Sequence, residues 1–176
     1  KVDLATTYDK DEAQKYGIAY FCETTYSKLI PEPAHVEFKQ DVYFLAMAKD
    51  RLPKILKVYD HLTAQGLKCL FLVCGVKQEN QVPREGIHYV QPISYRENLR
   101  HVIESKCVLE IIQEGSSDIT TRVLEAVAYR RRLLTDCQLC EERYFNPGQL
   151  QIFSSVENIN ADFVKAELNP DAYEPQ

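Results

Sequence analysis

The chain has 176 residues, enough for one well-packed domain and too few for two ordinary ones. A hydrophobic fraction of 45% can fill a core, and a net charge of -5 argues against non-specific nucleic-acid binding, which needs a basic surface. No stretch approaches the run of about 20 apolar residues that spans a bilayer, and no signal peptide is visible. The chain starts at Lys1 and reads as mid-protein, so an excised piece of a longer parent is expected.

Residues 1–40 differ from the rest and are read as the end of a preceding domain and a linker. Asp3 to Thr7 has the pattern of a short strand and Asp9 to Lys15 that of a helical turn opened by an Asp cap. Ile18 to Cys22 suggests a second short strand. Ser27 to Pro33 carries two prolines and reads as linker.

From Asp41 the organisation becomes regular. Val42 to Ala48 is a continuous apolar run, the mark of a strand buried on both faces. Asp50 is placed to cap the next helix, with Pro53 in its first turn. Leu52, Ile55, Leu56, Tyr59 and Leu62 recur at helical spacing, and Gly66 ends that helix. Cys69 to Cys74 is a second buried strand, and Ile87 to Val90 a third. Ser94 caps a helix carrying Tyr95, Leu99, Val102 and Ile103. Val108 to Ile112 is a fourth strand, and Thr120 or Thr121 opens a helix with Val123, Leu124, Val127 and Ala128. Leu133 to Thr135 and Leu150 to Phe153 are further strands, and Asn160 to Glu167 a closing helix. Asn169 to Gln176 reads as a tail without ordered structure.

Buried strands alternating with amphipathic helices predict a Rossmann-like α/β domain over 41–168. It would have about six mostly parallel strands with helices on both faces. Ligands bind such sheets at the carboxyl ends of the strands, where strand order reverses. Three loops therefore matter: Lys49 to Arg51, Gly75 to Arg84, and Gln113 to Thr121.

The last is the most informative. Gly115 permits a tight turn, Ser116, Ser117, Thr120 and Thr121 supply hydroxyls, and the first free helix amides point to the same mouth. That combination suits a phosphate or diphosphate. Arg122 could add a bidentate phosphate contact, and Glu125, one turn on, could accept ribose hydroxyls. The alternative is that the Ser and Thr residues only cap the helix, with Arg122 and Glu125 solvated. Lys49 and Arg51 oppose the dipole at another helix start, so either an anionic ligand or ordinary surface charge accounts for them. Ile93 and Tyr95 offer either a nucleobase pocket or ordinary core. Arg130, Arg131 and Arg132 close a helix, where its dipole favours cations.

Six cysteines do not make a framework here. Cys69, Cys74 and Cys107 lie in apolar runs and read as small buried hydrophobes. Cys137 and Cys140 form a lone C-x-x-C without a second pair, so they read as structural, no metal is expected, and a reducing cytoplasm fits. The G-x-G-x-x-G, G-x-x-x-x-G-K-[ST] and G-x-S-x-G motifs are all absent. No strand end reads as an acidic cluster that would hold magnesium.

With these residues in place, the chain resembles bacterial glycosyltransferase-like proteins of capsular and lipopolysaccharide biosynthesis, and within them the carboxyl-terminal, donor-binding half of a GT-B enzyme. The resemblance is carried by Thr6 to Ala13 with Lys15 to Ile18, by Asp41 to Leu56, by Ile93 to Tyr95, and by Glu110 to Asp136. The last stretch places Gln113, Gly115, Thr120, Arg122 and Glu125 at the family's spacing, followed by Ala126. The resemblance implies that these residues bind the diphosphate and ribose of a nucleotide-diphosphate sugar. Lys49 or Arg51 would neutralise the leaving diphosphate without a metal. It implies no further cofactor. The amino-terminal acceptor domain of the same parent would be the partner, so this piece alone would be inactive. The setting would be cytoplasmic, with peripheral association at the inner face of the membrane through the parent. Asp118 stands where the family has Gly, and Ser117 stands eight residues before Glu125 where many members have a second glutamate. Both departures support an alternative, a non-catalytic binding module or scaffold in polysaccharide assembly. A flavodoxin-like regulator is a third reading.

Overall fold

The computed structural model describes residues 6–7, 10–20, 30–31, 33, 35–113, 120–138, 140, 145 and 148–167. Expectations that fall on Asp3 to Ala5, on most of the Ser27 to Pro33 linker, on residues 114–119 and on the tail lie outside these residues.

At the start, β1 (Thr6–Thr7) and β2 (Ala19–Tyr20) pair in parallel around α1 (Lys10–Tyr16). The main body follows as β3 (Gln40–Met47), α2 (Leu52–Ala64), β4 (Cys69–Cys74), β5 (Ile87–Val90), α3 (Tyr95–Ile103), β6 (Ser105–Glu110), α4 (Thr121–Ala128), β7 (Arg132–Thr135), β8 (Leu150–Ile152) and α5 (Ala161–Lys165). Six strands form one sheet in the order β5-β4-β3-β6-β7-β8, and every neighbouring pair is parallel. This is a Rossmann-like α/β arrangement, as the alternation of elements predicts.

Two-residue periodicity along each strand separates the core into two layers. Val42, Phe44, Phe71, Val73, Cys107 and Leu109 face α2 and α5, where Ile55, Val58, Leu62 and Val164 meet them. Tyr43, Leu72, Val108 and Leu133 face α3 and α4, against Leu99, Val102, Val123 and Ala126. Gly86 lets β5 approach β4 closely. A Cβ there would stand 2.1 Å from the Cys69 carbonyl oxygen, and the Gly86 amide donates to the Tyr59 hydroxyl.

Several local expectations are corrected. The α2 cap is Arg51, not Asp50, and it caps through no side-chain bond. Lys49 adopts a left-handed φ of 47°, which turns the chain between strand and helix one residue later than a simple cap would. β6 starts at Ser105 and ends at Glu110, three residues earlier at its start than the apolar run suggests. Its opening residue is polar but buried, because Ser105 accepts from Gln40 Nε2 and donates to the His101 carbonyl. The arginine triplet does not simply decorate the end of α4. Arg131 and Arg132 are buried. Arg131 donates to the Ile103 carbonyl at the end of α3, and Arg132 to the Ala166 and Glu167 carbonyls after α5. The cations do serve helix carboxyl ends, but those of neighbouring helices. Cys137 and Cys140 are both buried.

Candidate functional site at the strand-order reversal

Strand order reverses between β3 and β6. Their ladder registers Gln40, Val42 and Tyr43 with Ser105, Cys107 and Val108 and goes no further, whereas β3 stays paired with β4 through Met47. The carboxyl ends of β3 and β6 lie beyond that register, where the reversal of strand order places the ligand crevice of such folds. Lys49 and Arg51 lie at this crevice, as the loop rule predicts. The Lys49 ammonium donates to Gln113 Oε1 across the gap. Arg51 donates from Nη1 to the Ile111 carbonyl and from Nη2 to the Met47 carbonyl, stapling the two strand ends together. Its Nε is buried and has no hydrogen-bond partner. Among the described residues the acceptors of both cations are neutral, an amide side chain and two carbonyls.

α4 points its amino end toward the same mouth. Thr120 caps it by accepting from the Arg122 amide. Of the other expected ligands, Gly115, Ser116, Ser117 and also Asp118 lie outside the described residues, and Thr121 is exposed in the first turn.

Arg122 and Glu125 form a buried ion pair, with Glu125 wholly shielded from solvent and Arg122 19% exposed. The solvated alternative for these two residues is thus excluded. Asn98 of α3 donates to Glu125 Oε1 and accepts from Arg122 Nη1 and the Tyr43 hydroxyl. Burial pushes the Glu125 carboxyl up, while Arg122, Asn98 and Tyr95 hydrogen bonds pull it back without cancelling the rise. Burial also raises the Tyr43 phenol, which stays a donor. A ribose hydroxyl reaching Glu125 must first displace Arg122 or Tyr95. Tyr95 is 44% exposed at the start of α3, and Ile93 is half-buried against the α3–α4 layer.

Two features escaped the sequence reading. A cavity of about 330 Å³ opens at the carboxyl ends of β3, β4 and β5, walled by Met47, Val73, Val76, Tyr89 and Pro92. It sits beside Pro92 rather than on Ile93 and Tyr95, and its left-handed Gly75 at φ 74° turns the chain at its rim. The second feature is a pair of carboxylates. Glu110 ends β6 almost fully buried, taking hydrogen bonds from Thr120 and Thr135. Asp136, just past β7, accepts from the Ile112 amide and from Lys54. Glu110 at the end of β6 and Asp136 just past β7 thus place two carboxylates at adjacent strand ends. Among the described residues no three potential ligands come together to hold a metal ion. Likewise, none of the described helices is long and apolar enough to cross a membrane.

No protein-family model matches the chain, and no curated protein matches it.

Proposed function

We propose that this chain is the donor-binding half of a glycosyltransferase that takes a nucleotide-diphosphate sugar for cell-surface polysaccharide synthesis. The observation that carries this reading is the carboxyl edge of the sheet at the β3–β6 reversal, where Lys49, Arg51 and the amino end of α4 lie, with a cavity on the far side of Met47. The diphosphate would lie between Lys49 and the first turn of α4, within reach of Arg122. The base would pack against Val76, Tyr89 and Pro92. Lys49, which donates to the neutral Gln113 amide, would stabilise charge on a departing diphosphate. Arg51, committed to two carbonyls, holds the crevice walls. The reaction would take place in the cytoplasm, with an acceptor domain of the same parent supplying the rest of the site.

The test is a titration of the chain with UDP-glucose and GDP-mannose, followed by amide NMR. Shifts are expected at Lys49, Val76, Tyr89, Gln113 and Arg122, and Lys49→Ala should weaken binding about tenfold. The reading fails if neither donor moves these amides at millimolar concentration.

A second reading, a binding module without transfer chemistry, is favoured by one observation. Glu125 spends its carboxylate on Arg122 and Asn98 and presents no surface to a ligand. Donor binding without turnover after fusion to any acceptor half would support it.

A further inference from the structure

Glu110 faces the α3–α4 side of the sheet with two threonine hydroxyls converging on it. Thr120 donates to one carboxylate oxygen and Thr135 to the other. Each hydroxyl oxygen is itself an acceptor, Thr120 for the Arg122 amide at 3.1 Å and Thr135 for the Cys137 amide at 3.0 Å. The two protons are therefore directed at Glu110, and the network is complete only when both carboxylate oxygens accept. A protonated carboxyl presents a donor on one oxygen, so the hydroxyl facing it must turn its proton away and accept instead, and its oxygen is then shared between the carboxyl and the amide it already holds. Thr135 is fully buried, whereas Thr120 is half-buried at the start of α4 and can turn its proton to water.

We propose that Glu110 is a proton-operated latch on the amino end of α4: ionised, it takes the Thr120 proton and leaves the threonine oxygen to the Arg122 amide alone, and protonation reverses that bond, divides the oxygen between two donors and loosens the first helical turn. Where the released turn forms part of a diphosphate site, the latch makes donor affinity depend on pH, and that clause alone rests on the function proposed above. Among the described residues the charges facing Glu110 are Asp136 beyond β7 and Arg122 on α4. Asp136 is itself held by Lys54 of α2. Burial, and then Asp136, raise the Glu110 carboxyl, while the two threonines and Arg122 oppose them, and the net direction is upward. A carboxyl raised in the folded state binds its proton more tightly there than in the unfolded chain. Global stability therefore does not fall as this group protonates, and the release is local.

The experiment follows the backbone amides of Thr120 to Val123 by NMR from about pH 8 to about pH 4 in the whole, unliganded chain. It is run for the wild type, Glu110→Gln and Thr120→Ser. In the wild type, the Arg122 amide should lose protection against exchange about fivefold through one titration with a midpoint above 4.5. Glu110→Gln keeps the shape, places a donor where protonation would, and should show the acid-state amides at every pH with an unchanged or higher Tm. Thr120→Ser should behave as wild type. A wild-type-like titration persisting in Glu110→Gln, or an Arg122 amide indifferent to that substitution at pH 8, would overturn the latch. UDP-glucose, whose diphosphate does not titrate in this range, is then added at both ends. Binding about fivefold weaker at the acid end in wild type, and weak throughout in Glu110→Gln, ties the latch to the site. Binding independent of pH cuts that tie. No binding at either pH, with the amide titration intact, refutes the nucleotide reading and leaves the latch standing.

Discussion

Removing the guanidinium of Arg122 should strand the Glu125 carboxylate in the core. Arg122→Met keeps the aliphatic bulk but leaves a fully buried carboxylate with hydrogen bonds from Asn98 and Tyr95 and no charge partner. Breaking a buried pair on one side costs about 3–5 kcal/mol, but the chain has an escape, since Glu125 can take up a proton. Holding a carboxyl neutral at pH 7 against an ordinary pKa of 4.5 costs about 3.4 kcal/mol, at about 1.36 kcal/mol for each pH unit. The loss through Glu125 is therefore capped near that figure at pH 7, and near about 1.4 kcal/mol at pH 5.5. The sign follows from the linkage. In the variant the folded-state pKa rises further above the unfolded value, so the deficit is largest above it and shrinks as pH falls toward 4.5. Urea denaturation of wild type and Arg122→Met at both pH values measures this directly. A deficit below about 1 kcal/mol at pH 7, or one that does not shrink at pH 5.5, would refute an ionised, charge-paired Glu125. Adding Glu125→Met to the variant should recover stability at pH 7, because both charges leave together.

Gly86→Ala should cost about 2–3 kcal/mol in denaturant, since the new methyl meets the Cys69 main chain, and adding Tyr59→Phe should not rescue it. Arg132→Met removes the partners of the Ala166 and Glu167 carbonyls, so hydrogen exchange of the α5 amides should quicken several-fold for a global loss of about 1–2 kcal/mol. The Tyr129 hydroxyl both accepts from the Ile30 amide and donates to the Ile30 carbonyl. Tyr129→Phe should therefore speed limited proteolysis near residue 30 while the sheet's melting changes by about 1 kcal/mol or less.

The sheet's inner strands were legible because β3 and β4 are buried on both faces and their sequences are apolar without alternation. β6 was misplaced at its start because Ser105 and Lys106 carry no apolar signal. Its true beginning is fixed by the Gln40–Ser105 hydrogen bond, a tertiary fact. The order of the strands has no local signature at all. The loop rule nonetheless brought Lys49 and Arg51 to the right end of the sheet, and Thr120 was recognised as a capping residue from its type and place. What local reading could not reach was the fate of each charge. Arg122 and Glu125 look like surface helix residues until Asn98 from another helix closes over them. Arg131 and Arg132 look like a solvated triplet until the ends of α3 and α5 are brought to them. Glu110 left one usable trace, an acidic residue inside an otherwise apolar strand, which marks a buried carboxylate in need of donors.

The β3–β6 edge also divides the chain by sequence separation. Across the β3–β4 edge, Lys68 bonds Asp41 at a separation of 27 positions, whereas the β3–β6 edge joins Gln40 to Ser105 at 65. Closing the longer loop costs only about 0.8 kcal/mol more by chain statistics, yet the reward is a ladder that stops at Tyr43. The β3-α2-β4-β5 half can gain most of its contacts before that edge closes, and the β6-α4-β7-β8 half can do the same. The edge between them joins the strand segments that lie farthest apart in sequence, and a ligand bound at its carboxyl end, touching both halves, would stabilise the fold as a whole rather than one loop.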